Sequence, residues 1–181
     1  MREPAPPYAG EGPHALWHVS EDVSLARFEP HLRPEHDADE PLVWAVDTRH
    51  LPLYWFPRDC PRATFWAWSG TSDADVEQFL AGDRGRRVHA VEPVWLERMS
   101  DTRVVAYRLP EETFVRYDRF WISRTTVVPL ELVELGDLVA CHARAGIELR
   151  TDLDLRALWE RVASSTLDFS GIRLRNARLC A

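Results

Sequence analysis

Ala15-Leu-Trp-His-Val-Ser20 is a short apolar run with β-formers, and it reads as the first strand of the fold. A second run, Leu42-Val-Trp-Ala-Val46, is apolar throughout, the pattern of a buried strand. Between the two, residues 21–28 offer a short helix or turn, and residues 30–41 a polar loop bounded by prolines. Working outward, strands are expected at 63–68, 87–91, 104–109 and 119–128, with 114–117 extending or pairing with 104–109. Helices are expected at 74–80, opened by Asp73 and stopped by Gly82, and at 92–99 and 155–162. A longer helix is expected at 130–145. Pro129 suits its first turn, Leu132, Leu135, Leu138 and Val139 recur at helical spacing, and Gly146 ends it. Strands and helices mix without regular βαβ alternation. The fold class this predicts is α+β: one domain over 14–181, with mixed, mostly antiparallel sheets and flanking helices.

Residues 1–13 are rich in Pro, Gly and charge, lack the apolar stretch of a secretory signal, and are expected to fray as a flexible tail. A chain of 181 residues, 45% of them hydrophobic, buries a core without metals or disulfides. No apolar run approaches the ~18 residues of a membrane span, so no membrane association is expected. Cys60, Cys141 and Cys180 are odd in number and far apart, which suits a reducing, cytoplasmic setting. No CxxC is present. His14 and His18 are four apart, but Pro13 and the strand-like run argue against a helical metal pair, so no metal is expected. All 22 basic residues are Arg, and the net charge is −7. That balance argues against broad non-specific nucleic-acid binding and leaves room for a local Arg-lined groove.

Three stretches carry candidate chemistry. A His inside an apolar strand has two ring nitrogens to satisfy. His18 either bonds backbone or faces a ligand and bonds a sugar hydroxyl; Ser20, two residues on and on the same strand face, would help hold a ribose. The second stretch is Pro52-Leu-Tyr-Trp-Phe-Pro-Arg-Asp-Cys-Pro61, whose three prolines exclude a regular helix. One helical turn followed by an irregular, ordered loop is expected, with Arg58 and Asp59 held in it. Arg58 either pairs with a nearby carboxylate or is presented to phosphate, which its planar fork matches. The third is the polar C-terminal segment, Ser165-Thr-Leu-Asp-Phe-Ser170 and Arg173-Leu-Arg-Asn176. If extended, it sets Arg173 and Arg175 on one face, apt for phosphate or nucleic acid; the other reading is a salt-bridged segment packed on the domain. Trp44, Trp66, Trp95 and Trp159 sit in apolar surroundings and read as core rather than as base-stacking platforms.

The early-strand His followed by the loop Pro-Leu-Tyr-Trp-Phe-Pro-Arg resembles the DNA-modifying ADP-ribosyltransferase toxins, over the first third of the chain. Those proteins carry an aromatic-His-x-Thr/Ser motif and a loop of the type Val-Pro-Phe-Tyr-Phe-x-Pro-Arg. The resemblance implies NAD as the ligand. It puts His18 at the NAD ribose with Ser20 as its hydroxyl neighbour, Tyr54 in the aromatic loop against nicotinamide, and Arg58 at the reaction centre. His18 and Arg58 are then the catalytic candidates, and the acceptor is a nucleic acid, a protein or a small molecule. The chain departs from the pattern in one place. Those enzymes set a Glu on a late strand, where it stabilises the oxocarbenium-like centre. Here no acid lies between Arg119 and Leu130; Glu131 and Glu134 fall in the expected helix, and Asp118 is a shorter substitute. The resemblance therefore implies an NAD-binding, ADP-ribosyltransferase-like domain and leaves its turnover open. The alternative is a non-catalytic module that binds nucleic acid or protein through the Arg-rich C-terminal segment. The whole chain also resembles a family of small bacterial proteins without known activity. The shared signatures are Leu-Trp-His-Val-Ser, Phe-Pro-Arg-Asp-Cys-Pro-Arg and Ser-Thr-Leu-Asp-Phe-Ser-Gly-Ile-Arg-Leu-Arg-Asn-Ala.

Overall fold

Two β-sheets meet along a seam in the computed structural model, which describes residues 3–32 and 40–178. Cys180 lies outside the described residues. The strands are β1 (Leu16–Ser20), β2 (Val43–Asp47), β3 (Arg62–Trp66), β4 (Arg87–Val91), β5 (Val105–Leu109), β6 (Val115–Tyr117), β7 (Phe120–Ser123), β8 (Glu131–Glu134), β9 (Glu148–Thr151) and β10 (Asp168–Ile172). The helices are α1 (Asp73–Leu80), α2 (Leu96–Asp101), α3 (Leu138–Ala145) and α4 (Leu155–Ala163). The larger sheet runs β6-β7-β2-β1-β5-β8 and the smaller β10-β3-β4-β9. Every pairing is antiparallel except β4 with β9. The domain is thus α+β with antiparallel-rich sheets, as the mixed element order predicts.

Apolar burial explains how the layers close. β3 and β4 are buried at all five positions each, as strands covered on both faces must be. Val76, Phe79 and Leu80 of α1 and Leu155, Leu158 and Val162 of α4 pack with Phe65 and Val88 of the smaller sheet. A second cluster gathers Leu16, Val43, Ala45, Val105 and Tyr107 of the larger sheet with Phe28. A third joins the two halves: Trp55, Phe56 and Cys60 of the proline-rich loop meet Val91, Met99, Ala106, Leu138 and Ile147. The proline-rich loop is therefore core on its inner side, which fixes what it presents on the outer. Residues 3–13, whose composition suggests fraying, lie along the domain. Ala5 is fully buried, the Tyr8 ring meets Trp55 edge-on, and Ala9 N–H donates to Ala145 O at 3.0 Å.

The structure revises several elements. Residues 130–145 are not one helix. Glu131–Glu134 pair with β5 as an edge strand, Gly136 turns the chain at φ +71°, and Asp137 caps a shorter α3 by accepting from Val139 and Ala140 N–H. The helical spacing of Leu132 and Leu138 was incidental, since Leu132 is 41% exposed on the edge strand. Residues 119–128 yield a strand over 120–123 alone, while 21–28 take the non-helical one of their two expected forms, opening on the turn in which Ser20 Oγ accepts Asp22 N–H. β9 and β10, which no apolar run announced, complete the smaller sheet. Among the described residues, no helix is long and apolar enough to cross a membrane.

Candidate functional site

A cleft of about 690 Å³ opens where the sheets meet, and its lining comes from both. β1 supplies His18 and Ser20, the proline-rich loop supplies Tyr54, Phe56 and Arg58, and β3 supplies Arg62. The far wall is the end of β10 and the residues after it, Ser170 to Arg175. All four candidate ligand residues, His18, Ser20, Tyr54 and Arg58, therefore line one cavity, and Arg173 and Arg175 line it with them.

The local geometry of each follows from its element. The β1/β2 ladder pairs Leu16 with Asp47 and Trp17 with Val46, while β1 pairs with β5 along all five residues. Past the end of the β2 ladder, His18 Nδ1 lies 3.0 Å from Trp44 O. A carbonyl only accepts, so Nδ1 carries the proton of this bond. The Phe28 ring packs against His18 at a centroid distance of 4.7 Å and fixes its plane. Ser20 Oγ accepts Asp22 N–H at 3.0 Å in the turn that ends the strand, which leaves its hydroxyl hydrogen to donate.

The proline-rich loop behaves as expected: a 3₁₀ turn, Leu51–Tyr54, then an irregular segment. It is clamped from both walls. Glu21 Oε1 accepts Arg58 N–H at 2.7 Å from the β1 side, and Asn176 Nδ2 donates to Asp59 O at 2.9 Å from the C-terminal side. The Arg58 guanidinium is exposed and forms no ion pair with another described residue. Cys60, inside the loop, is no nucleophile: burial pushes its thiol up to about 12.

The far wall departs from the expectation of an extended Arg face. β10 stops at Ile172, Arg173 takes a left-handed φ of +56°, and Leu174–Asn176 form a 3₁₀ turn. Gly171 makes this close approach workable, because a Cβ there would come within 2.7 Å of the Trp159 ring and 2.6 Å of Leu174. Opposite, Arg119 clasps the sheets together, its Nη2 3.0 Å from Asp168 Oδ1 and its Nη1 donating to Phe169 O. Asp118, the shorter substitute for the late-strand Glu, sits in the β6–β7 turn at φ +54° and does not line the cleft. Glu21 is the one carboxylate among the described lining residues.

Sequence reading missed Arg62. It is 3% exposed, yet it lines the cleft. Its Nε donates to Leu53 O and its Nη1 to Cys60 O, both at 3.0 Å, and its guanidinium lies 4.8 Å from the Phe56 centroid and 5.7 Å from that of Tyr54. Burial lowers its pKa to about 10, so it stays cationic at neutral pH. The signal available was its place two residues past the proline-rich loop's Cys60, at the head of an apolar strand; a charge there is buried or used.

Fold and site together define an α+β domain whose two sheets enclose an arginine-lined cleft. Residues 17–177 match the family model described as a family of unknown function (DUF6886), and the chain belongs to that family. No curated protein matches the chain. No solved structure matches it.

Proposed function

We propose that the cleft binds NAD or a closely related nucleotide, in the manner of an ADP-ribosyltransferase-like domain. The observation that carries this reading is the convergence of His18, Ser20, Tyr54 and Arg58 on one cavity of about 690 Å³, within the size range of ordinary ligand sites. His18 contacts the ribose and Ser20 assists. Tyr54 stacks on nicotinamide, and Arg58 meets phosphate or the reaction centre. Turnover needs a carboxylate, and the candidate in the cleft is Glu21, one oxygen of which is already held by Arg58 N–H. The deciding experiment is calorimetric titration of the protein with NAD, repeated on His18→Ala. A tenfold or greater loss of affinity in the variant, about 1.4 kcal/mol, supports the reading. No binding by the folded wild type up to millimolar NAD rejects it. Nicotinamide release that Glu21→Gln abolishes would make the domain a transferase; NAD bound without release makes it a binding module.

A second reading keeps the cleft and changes the occupant. Arg173 and Arg175 share it with Arg58 and Arg62, which suits a polyanion such as a nucleic-acid strand, or an acidic protein segment. Its signature is nucleic-acid affinity that falls steeply with salt.

A further inference from the structure

We propose that Arg62 forms the floor of an anion site in this cleft and holds a phosphate or diphosphate group of the ligand. The inference deepens the nucleotide reading and rests on it for the ligand's class. A guanidinium has five N–H donors. Two of those of Arg62 go to Leu53 O and Cys60 O, and the remaining three have no partner among the described residues. Both partners are neutral carbonyls, which orient the group without cancelling its charge. No carboxylate of the described residues forms an ion pair with it. A buried charge in that state is costly unless something completes it.

The open side of Arg62 is the cleft, where Arg58 and Arg173 are also found. Arg173 lines the same cleft and its charge disfavours that of Arg62, so an anion in the cleft offsets this repulsion as well. The fork is already oriented: two carbonyl bonds fix its plane and the rings of Phe56 and Tyr54 flank it. A preset planar fork suits two parallel bonds to phosphate oxygens. Arg87 makes the contrast. It is 2% exposed, but it does not line the cleft, so no ligand reaches it.

The test uses calorimetry with inorganic pyrophosphate, ADP-ribose and NAD on the wild type, Arg62→Gln, Arg62→Lys and the control Arg103→Gln. Arg103 is exposed, pairs with Glu134 and lies outside the cleft. The expected result is pyrophosphate binding that weakens at least tenfold in Arg62→Gln, is partly kept in Arg62→Lys and is unchanged in Arg103→Gln. Pyrophosphate bound equally well by a folded Arg62→Gln, or not bound by the wild type, overturns the proposal. If neither Arg62 variant folds, wild-type crystals soaked in tungstate decide it. An anomalous peak within hydrogen-bond distance of Arg62 supports the site, and a cleft without one overturns it. The two readings fail separately. NAD bound without loss in Arg62→Gln removes the anion site and keeps the nucleotide. Pyrophosphate bound at Arg62 with no binding of NAD or ADP-ribose removes the nucleotide and keeps the anion site.

Discussion

At the scale of single residues, the core holds a hydrogen-bonded line of groups that sets the protein's response to acid. Arg87 Nε donates to His89 Nε2 at 3.1 Å, His89 Nδ1 meets His142 Nε2 at 2.9 Å, and His142 Nδ1 meets Leu138 O at 2.7 Å. Donor and acceptor roles are forced from both ends, since Arg87 only donates and the carbonyl only accepts. Both rings are then neutral, each protonated at Nδ1. Burial holds His89 well below the usual histidine range and lowers His142 to about 4; Arg87 and Arg62 act in the same direction. A folded-state pKa below the unfolded one means that the unfolded chain takes up protons first as pH falls. The stabilisation is complete above about pH 6.5 and is lost as pH drops toward about 4. For His142 it amounts to roughly 3 kcal/mol, one pKa unit being about 1.4 kcal/mol. Urea unfolding between pH 7 and 4.5 should show this decline. The proton resonances of both buried rings should hold still to pH 5. Movement of the His142 resonance near pH 6.5 would contradict the neutral pair.

At the scale of elements, the wall of the cleft depends on how closely β10 approaches α4. Gly171→Ala drives a Cβ into the Trp159 ring, which α4 holds in place, and should cost about 1–3 kcal/mol through overpacking. Because β10 and the turn after it carry the far wall, NAD affinity should fall with it; full stability and affinity in this variant would refute the close packing. α3 gives a smaller effect. Asp137→Ala removes an acceptor that serves two N–H groups and should cost about 1 kcal/mol in chemical unfolding. The same segment shows where sequence patterns mislead. Helical spacing at Leu132, Leu135 and Leu138 spans a strand, a Gly136 turn and a helix start, and only pairing with β5 separates them. β10 was hidden for a related reason: apolar Phe169 and Ile172 are broken up by Asp168, Ser170 and Gly171 and none is fully buried, so nothing in their pattern marks a strand until β3 is beside them.

At the scale of the whole molecule, the cleft is the junction of the two sheets, and a ligand there bridges them. Arg119 with Asp168 and the loop clamped by Glu21 and Asn176 are the protein's own bridges across the same seam. A bound nucleotide adds to them by mass action. At about 100 times its Kd it contributes about 2.7 kcal/mol, which for a domain of this size raises Tm by roughly 5–10 °C. Thermal unfolding with NAD should show that rise in the wild type and lose most of it in His18→Ala at the same concentration. An unchanged wild-type Tm at millimolar NAD would count against the nucleotide reading. Arg119→Ala should cost about 2 kcal/mol without ligand, because it removes two bonds across the seam, to Asp168 Oδ1 and to Phe169 O.

What the sequence determined by itself was local. Apolar runs marked β1 and β2, the alternation of Val88 and Ala90 marked β4, three prolines required an ordered, non-helical loop after Leu51–Tyr54, and the mixed element order fixed the α+β class. The candidates His18, Ser20, Tyr54 and Arg58 were legible because they sit in or beside such runs, where a polar side chain stands out. Their convergence was not legible, since β1 and the proline-rich loop are separated by more than thirty residues and meet only when the two sheets pack. Arg62 was hidden for the same reason: burial and missing partners are properties of three-dimensional neighbours, and in sequence it is one arginine among 22 basic residues. The pairing of His89 with His142, 53 residues apart, likewise exists only because β4 and α3 share a core. Short-range chemistry writes itself into the chain as pattern; which distant groups become neighbours, and so which charges need a ligand, is settled by the packing of the sheets.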